Sequence, residues 1–146
     1  MPRIKIDLPS FYHYSTNIPV RITDLNYGGH VGNDTVLSII HEARVQFLRH
    51  YGYTEMDIDG ASLIMRDVAI EFRKELFYGE RIIVNITASE FSRVSFELYY
   101  KLEKAVAEEN VVVAVAKTGM VCYDYQKRKI SSLPESFRKT FAQSDT

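Results

Sequence analysis

The chain has 146 residues, 46% of them hydrophobic and 25% charged, with 7 glycines and 4 prolines. That is enough chain to bury one core and too little for two, so a single domain over 1–146 is expected, and disordered, collagen-like and low-complexity classes are excluded. A formal net charge of −1 gives no reason to expect nucleic acid or an anionic membrane as the main partner, and the lone cysteine, Cys122, excludes a disulfide framework or a zinc set built on several cysteines.

The N-terminal stretch MPRIKIDLPSFYHY carries charge where a signal peptide needs an apolar run, and nowhere does an apolar run approach roughly 18 residues. A soluble, cytoplasmic protein is the expectation. Residues 16–25 hold Ile18, Val20 and Ile22 at period two, which predicts a strand ending near Asp24. From Asp34 to about Tyr51, Val36, Leu37, Ile40, Ala43, Phe47, Leu48 and Tyr51 recur at steps of three and four, the pattern of a buried helical face. Asn33 or Asp34 is the expected N-cap and Gly52 the stop; Ile39 and Val45 lie off the stripe, so burial on more than one side is predicted.

A helical turn plus loop is expected over Thr54–Gly60, and period-two patterns follow. Ala61–Leu76, Arg81–Phe91, Arg93–Leu102 and Asn110–Tyr125 are rich in β-branched and aromatic residues and read as four strands. Their short connections favour antiparallel neighbours. Pro134 and Glu135 then open a brief helix to about Phe141. Cys122, within a strand pattern, reads as a small buried hydrophobe, and His13, His41 and His50 show no metal-ligand spacing.

The chemistry concentrates between strand and helix, in ITDLNYGGHVGND. Asp24, Asn26 and His30 surround Gly28 and Gly29 at a helix start, where unpaired N–H groups and partial positive charge suit a carbonyl that becomes an oxyanion. Backbone N–H groups from Gly28 to Asn33 are the candidate donors. If residues 22–26 are extended, the side chains of Asp24 and Asn26 point the same way. Glu42 adds a carboxylate on the helix, in a polar stripe with Ser38, Gln46 and Arg49. Each has a structural reading beside the chemical one: Asp24 pairing with Arg21 or Arg44, Asn26 and the glycines shaping a turn, His30 held by hydrogen bonds, Glu42 paired with Arg44 or Arg49.

The stretch VRITDLNYGGHVGND, followed by HEAR, resembles the signature V-R-x-x-D-x-D-x-x-G-H-V-N-N of hotdog-fold acyl-CoA thioesterases of the 4-hydroxybenzoyl-CoA thioesterase type. EFRKELFYGERI and AKTGMVCYD are similar to later strands of that family, so nearly the whole chain is covered. The resemblance implies an α+β hotdog fold, a curved antiparallel sheet of five or six strands wrapped around one long central helix. It also implies a homodimer, often a homotetramer, with sites at the subunit interface, and hydrolysis of acyl-CoA without metal or cofactor. The family's usual catalytic carboxylate falls at Asn26, and an amide is neither nucleophile nor base at neutral pH. Water activation is therefore expected from Asp24 or Glu42, since other hotdog thioesterases carry their acid on the helix, with His30 as orienter or proton donor. Gly28, Gly29 and Asn33 would contact the thioester, and Arg73 and Arg93 the phosphates of CoA.

Two alternatives follow from the same residues. Asp24, Asn26 and His30 are the residue types of the hotdog hydratase motif Asp-x-Asn-Pro-x-His, without its proline and with histidine one position late. Asn26 in place of an acid also fits a non-catalytic acyl-CoA binding protein.

Overall fold

The computed structural model describes residues 4–142. Its elements are β1 (Tyr14–Pro19), α1 (Asn33–His50), β2 (Ser62–Phe72), β3 (Arg81–Ser89), β4 (Ser95–Val106), β5 (Glu109–Asp124), β6 (Lys129–Ile130) and α2 (Glu135–Ala142). The strands form one antiparallel sheet in the order β1-β3-β4-β5-β2, with β6 added to β5. The α+β architecture expected from the sequence is thus present.

Alternation along the strands sets which face meets the helix. Ile82, Val84, Ile86 and Ala88 of β3 point inward, and the register places Leu102, Tyr100 and Leu98 of β4 beside the last three. Helix residues Val36, Ile39, Ile40, Ala43, Phe47 and Leu48 join these inward side chains in one buried cluster. Ile39 broadens the buried face as expected, while Leu37 turns out to be exposed. On the outer face a small second cluster forms where Ile6 and Leu8 of the N-terminal segment pack over Tyr99 and Val115.

Several boundaries differ from those expected. The first strand stops at Pro19, because Ile22–Asp24 curls into a 3-10 turn: Asp24 accepts the Arg21 N–H at 2.8 Å and returns its own N–H to the Arg21 carbonyl at 2.9 Å. Residues 22–26 are therefore not extended, and the shared direction of Asp24 and Asn26 has no basis. Thr54–Gly60 contains no helical turn; Thr54 and Asp57 exchange two 3.1 Å backbone bonds in a tight turn that Asp57 closes by accepting the Gly60 N–H. β2 does not pair with β3 despite their short connection, but lies across the sheet beside β5. It ends at Phe72, earlier than expected, because the N–H groups of Arg73 and Lys74 both turn to the Val113 carbonyl.

The two ends of α1 also differ. At its C-terminus Gly52 adopts φ +86°, and the bonds Gly52 N–H to Arg49 and Tyr53 N–H to Leu48 satisfy two final carbonyls in a Schellman motif. At its N-terminus neither Asn33 nor Asp34 is the cap: Gly32 occupies that position, without a side chain to satisfy the first N–H groups.

Candidate functional site

The loop before α1 is a narrow hairpin. Leu25 and Val31 form a β-bridge, the Asn26 N–H donates to the His30 carbonyl at 2.9 Å, and the Gly29 N–H returns to the Asn26 carbonyl at 3.0 Å. Gly29 sits at φ +84°, where an L side chain costs about 1–2 kcal/mol. The Asn26 side-chain oxygen accepts the Gly28 N–H at 2.8 Å, an Asx turn. Because that oxygen is engaged, the amide Nδ2 is the group left to donate outward.

The loop holds fewer free donors than the sequence led one to expect. The N–H groups of Gly28 and Gly29 are spent inside the loop, and that of Val31 goes to the Leu76 carbonyl at 2.9 Å. Among the described residues the loop leaves the N–H groups of His30 and Gly32 unbonded, and they lead to the uncapped start of α1, where the N–H of Asn33 has no carbonyl within the helix to meet. The helix adds partial positive charge there. Asp34, in the first turn, folds its carboxylate back toward Gly32.

A cavity of about 270 Å³ opens beside this helix start. Val36, Phe72, Leu76 and Val113 give it an apolar wall, while His30, Asn33, Arg73, Lys74 and Glu75 supply its polar rim. His30 Nδ1 lies 3.2 Å from the Val31 carbonyl, which can only accept, so Nδ1 is the donor in this bond. Of the residues expected from the sequence, the structure thus brings His30, Asn33 and Arg73 to the cavity, while Asn26 stands in the hairpin turn behind them, its Nδ2 toward Gly32. Arg73 also pairs with Glu71 at 2.9 Å.

The other candidates lie elsewhere within the chain. Asp24 is buried, and both its oxygens face Arg21, one of them 3.2 Å from the guanidinium. That hydrogen bond, with Asp24's charge and a smaller contribution from Glu42, pushes the Arg21 guanidinium further up. Glu42 borders a different cavity, about 300 Å³ between β1 and α1, where it accepts from Gln46 at 2.8 Å; Gln46 in turn receives the Thr16 hydroxyl. Arg93 precedes β4 at the opposite end of the sheet. On β5, Ala114 faces Phe72 and Val121 faces Ser95, so Arg93 is on the order of 20 Å from the loop.

Two features have no counterpart in the sequence reading. Glu75 reaches the cavity only because the chain leaves β2 three residues before it, whereas the apolar pattern continued the strand to Leu76. Arg44 is buried under α1 and donates to the Tyr100 hydroxyl at 3.2 Å; that hydroxyl, made less acidic by its burial, also shares a 2.8 Å hydrogen bond with the Thr118 hydroxyl. Arg44 Nε also stands 3.5 Å from Glu55, which His41 approaches at 2.9 Å. The network ties the helix to β4 and β5 and so fixes where its first turn points.

Residues 20–141 match the family model described as the thioesterase-like superfamily. The chain is 33% identical over 122 residues to a 1,4-dihydroxy-2-naphthoyl-CoA hydrolase of Microcystis aeruginosa, covering 82% of this chain and 86% of the relative. A protein of the same name from Rippkaea orientalis is 30% identical over 120 residues, with 80% and 86% covered. Among solved structures, a 1,4-dihydroxy-2-naphthoyl-CoA thioesterase from Synechocystis superposes with a TM-score of 0.79 at 24% identity, over 91% of this chain and 98% of that one. A thioesterase-superfamily protein from Jannaschia gives 0.81 at 19% identity, over 92% and 84%. These superpositions bear out the hotdog fold.

Proposed function

The chain belongs to the thioesterase-like superfamily, and from that premise we propose that it hydrolyses an acyl-CoA or related acyl thioester to free acid and thiol. The observation that carries the reading is the uncapped start of α1, opening on a cavity with one apolar wall and a cationic rim. The thioester carbonyl lies at the Asn33 N–H, with Asn26 Nδ2 as the second donor. Both are stronger partners for a tetrahedral oxyanion than for a neutral carbonyl, which is the condition for lowering a barrier rather than only binding. The acyl group rests against Val36, Phe72 and Val113, and Arg73 and Lys74 meet phosphate of the thiol carrier.

Thiolate is a good leaving group, so oxyanion stabilisation and a base for water are the main requirements. Asp24 does not suit the second task, because both its oxygens already serve Arg21. Glu42 stands on the other side of α1 from His30 and serves a site only if a second copy brings it there. The acting form is a cytoplasmic homodimer. Supporting it, β1 and β2 each lack a neighbour on their outer side among the described residues, and exposed Met65 and Val68 lie along β2.

The test is thiol release across aromatic, short-chain and long-chain acyl-CoAs, with aryl thioesters first because the named relatives act on one. Release of free thiol with kcat/KM above about 10⁴ M⁻¹s⁻¹ on at least one class is the expected result. Consumption of an enoyl-CoA with the thioester intact would favour the hydratase, and binding without turnover across the panel the non-catalytic carrier.

A further inference from the structure

We infer that Glu75 is the general base that activates water at this site, an assignment that rests on the thioesterase reading above. Glu75 is the carboxylate on the rim of the cavity that also holds His30 and Asn33. Its backbone is held from two sides. The neighbouring Leu76 carbonyl takes the Val31 N–H from the catalytic loop at 2.9 Å, and the Glu75 carbonyl accepts from the buried Lys104 ammonium at 2.8 Å. Lys104 is itself fixed by Glu80 at 3.0 Å. The position of residue 75 relative to the helix start is therefore set by packing, while its side chain stays exposed.

The surrounding carboxylates are otherwise employed. Asp24 is bound to Arg21, Glu71 to Arg73, Glu80 to Lys104 and the Phe77 N–H, and Glu42 faces the other cavity. The Glu75 carboxylate has no ion-pair partner among the described residues. A base must have lone pairs free to take a proton, and Glu75 meets that condition next to the oxyanion donors. Asp34, folded back at the helix start, is the nearest rival.

The step balances without any further reactant. Water oxygen bonds to the acyl carbon while one water proton passes to Glu75, and the carbonyl electron pair moves onto oxygen, facing Asn33 and Asn26. When that pair returns, the carbon–sulfur bond breaks and its electrons leave on sulfur. The proton on Glu75 then passes to the thiolate, which restores the carboxylate. One water is consumed, and one thiol and one acid are made.

The experiment compares the full chain with its Glu75→Gln, Glu75→Asp and Asp34→Asn variants. It uses the acyl-CoA on which the parent releases most thiol, and the folded population of each is checked by thermal melting. Glu75→Gln is expected to lower kcat by about 10²–10⁴-fold and to flatten the acid limb of the pH–rate profile, with KM little changed. Glu75→Asp recovers part of the rate, because a shorter carboxylate still accepts the proton. Undiminished kcat in a folded Glu75→Gln, or a loss found in Asp34→Asn alone, overturns the assignment while leaving the thioesterase reading in place. A parent that releases no thiol from any class overturns both.

Discussion

At its C-terminal end α1 is stopped by Gly52, and Phe47 packs there against Phe141 and Tyr51, with ring centroids 5.3 and 5.5 Å apart. At its N-terminal end the same helix meets a glycine cap, exposed polar side chains and an open cavity. Both ends face the backbone problem of unpaired groups. The C-terminal end solves it internally with two Schellman bonds, and the N-terminal end leaves donors for something else. A glycine at the cap gives up only about a few tenths of a kcal/mol against a Ser, Thr, Asn or Asp cap, so leaving these donors open costs the helix little.

The sharpest way to break this contrast is to damage each end and ask which quantity moves. Phe47→Ala empties a fully buried aromatic site and is expected to cost about 3–5 kcal/mol in urea unfolding, with kcat per folded molecule kept. Asn26→Ala is expected to do the reverse. Losing one oxyanion donor lowers kcat by about 10²-fold or more, while the lost Asx-turn bond costs unfolding only about 1 kcal/mol. Steady-state thiol release and urea titration on the same preparations separate the two. If Asn26→Ala changed only the unfolding midpoint, its amide would be a turn device and the N-terminal end would rest on backbone donors alone.

The same contrast explains what the sequence alone made legible. The closed end was legible: the apolar stripe through Phe47 and Leu48, the stop at Gly52 and the four long strands follow from local periodicity, and local periodicity is what packing enforces. The partnering of β2 with β5 was not, because a short connection raises the odds of adjacency without fixing which edge a strand joins. At the open end the motif pointed to His30 and Asn33, which line one cavity, and to Asn26 in the hairpin beside them. The sequence also suggested Asp24 from the motif, Glu42 from the helix and Arg93 from composition, which the fold distributes to a buried turn, another cavity and the far end of the sheet. Glu75 carried no signal of its own, since its place at the cavity is made by a backbone turn toward Val113. Side chains on distant segments meet through topology, and residue spacing does not contain topology.

Asp24→Ala sharpens the boundary between the two behaviours. Its carboxylate sits within four residues of the glycines, yet it is engaged like a group of the closed end. The expected outcome is a loss of about 1 kcal/mol in unfolding free energy from the missing bond to the Arg21 backbone N–H in the 3-10 turn, while the exposed Arg21 guanidinium turns to water. Turnover per folded molecule should stay near that of the parent. A fall in kcat of about 10²-fold without a change in the urea midpoint would instead return Asp24 to the list of bases.

The smallest expected effect lies at the end of the sheet away from the loop. Cys122 is fully buried, with its N–H on the Val94 carbonyl and its own carbonyl taken by Ser131. Burial pushes its thiol up from an ordinary 9.0 to about 11. Below pH 9 both folded and unfolded chains keep the proton, so the contribution to stability is complete. Between the two values the unfolded chain releases the proton first, and stability falls as pH rises, until above about 11 the contribution is gone. Urea midpoints measured from about pH 8 to 10.5 should therefore decline more steeply for the parent than for Cys122→Ala, in which other titrating groups are shared and cancel. Equal slopes would mean that water reaches this thiol in the folded chain, and that the packed region of the molecule is less closed than its contacts indicate.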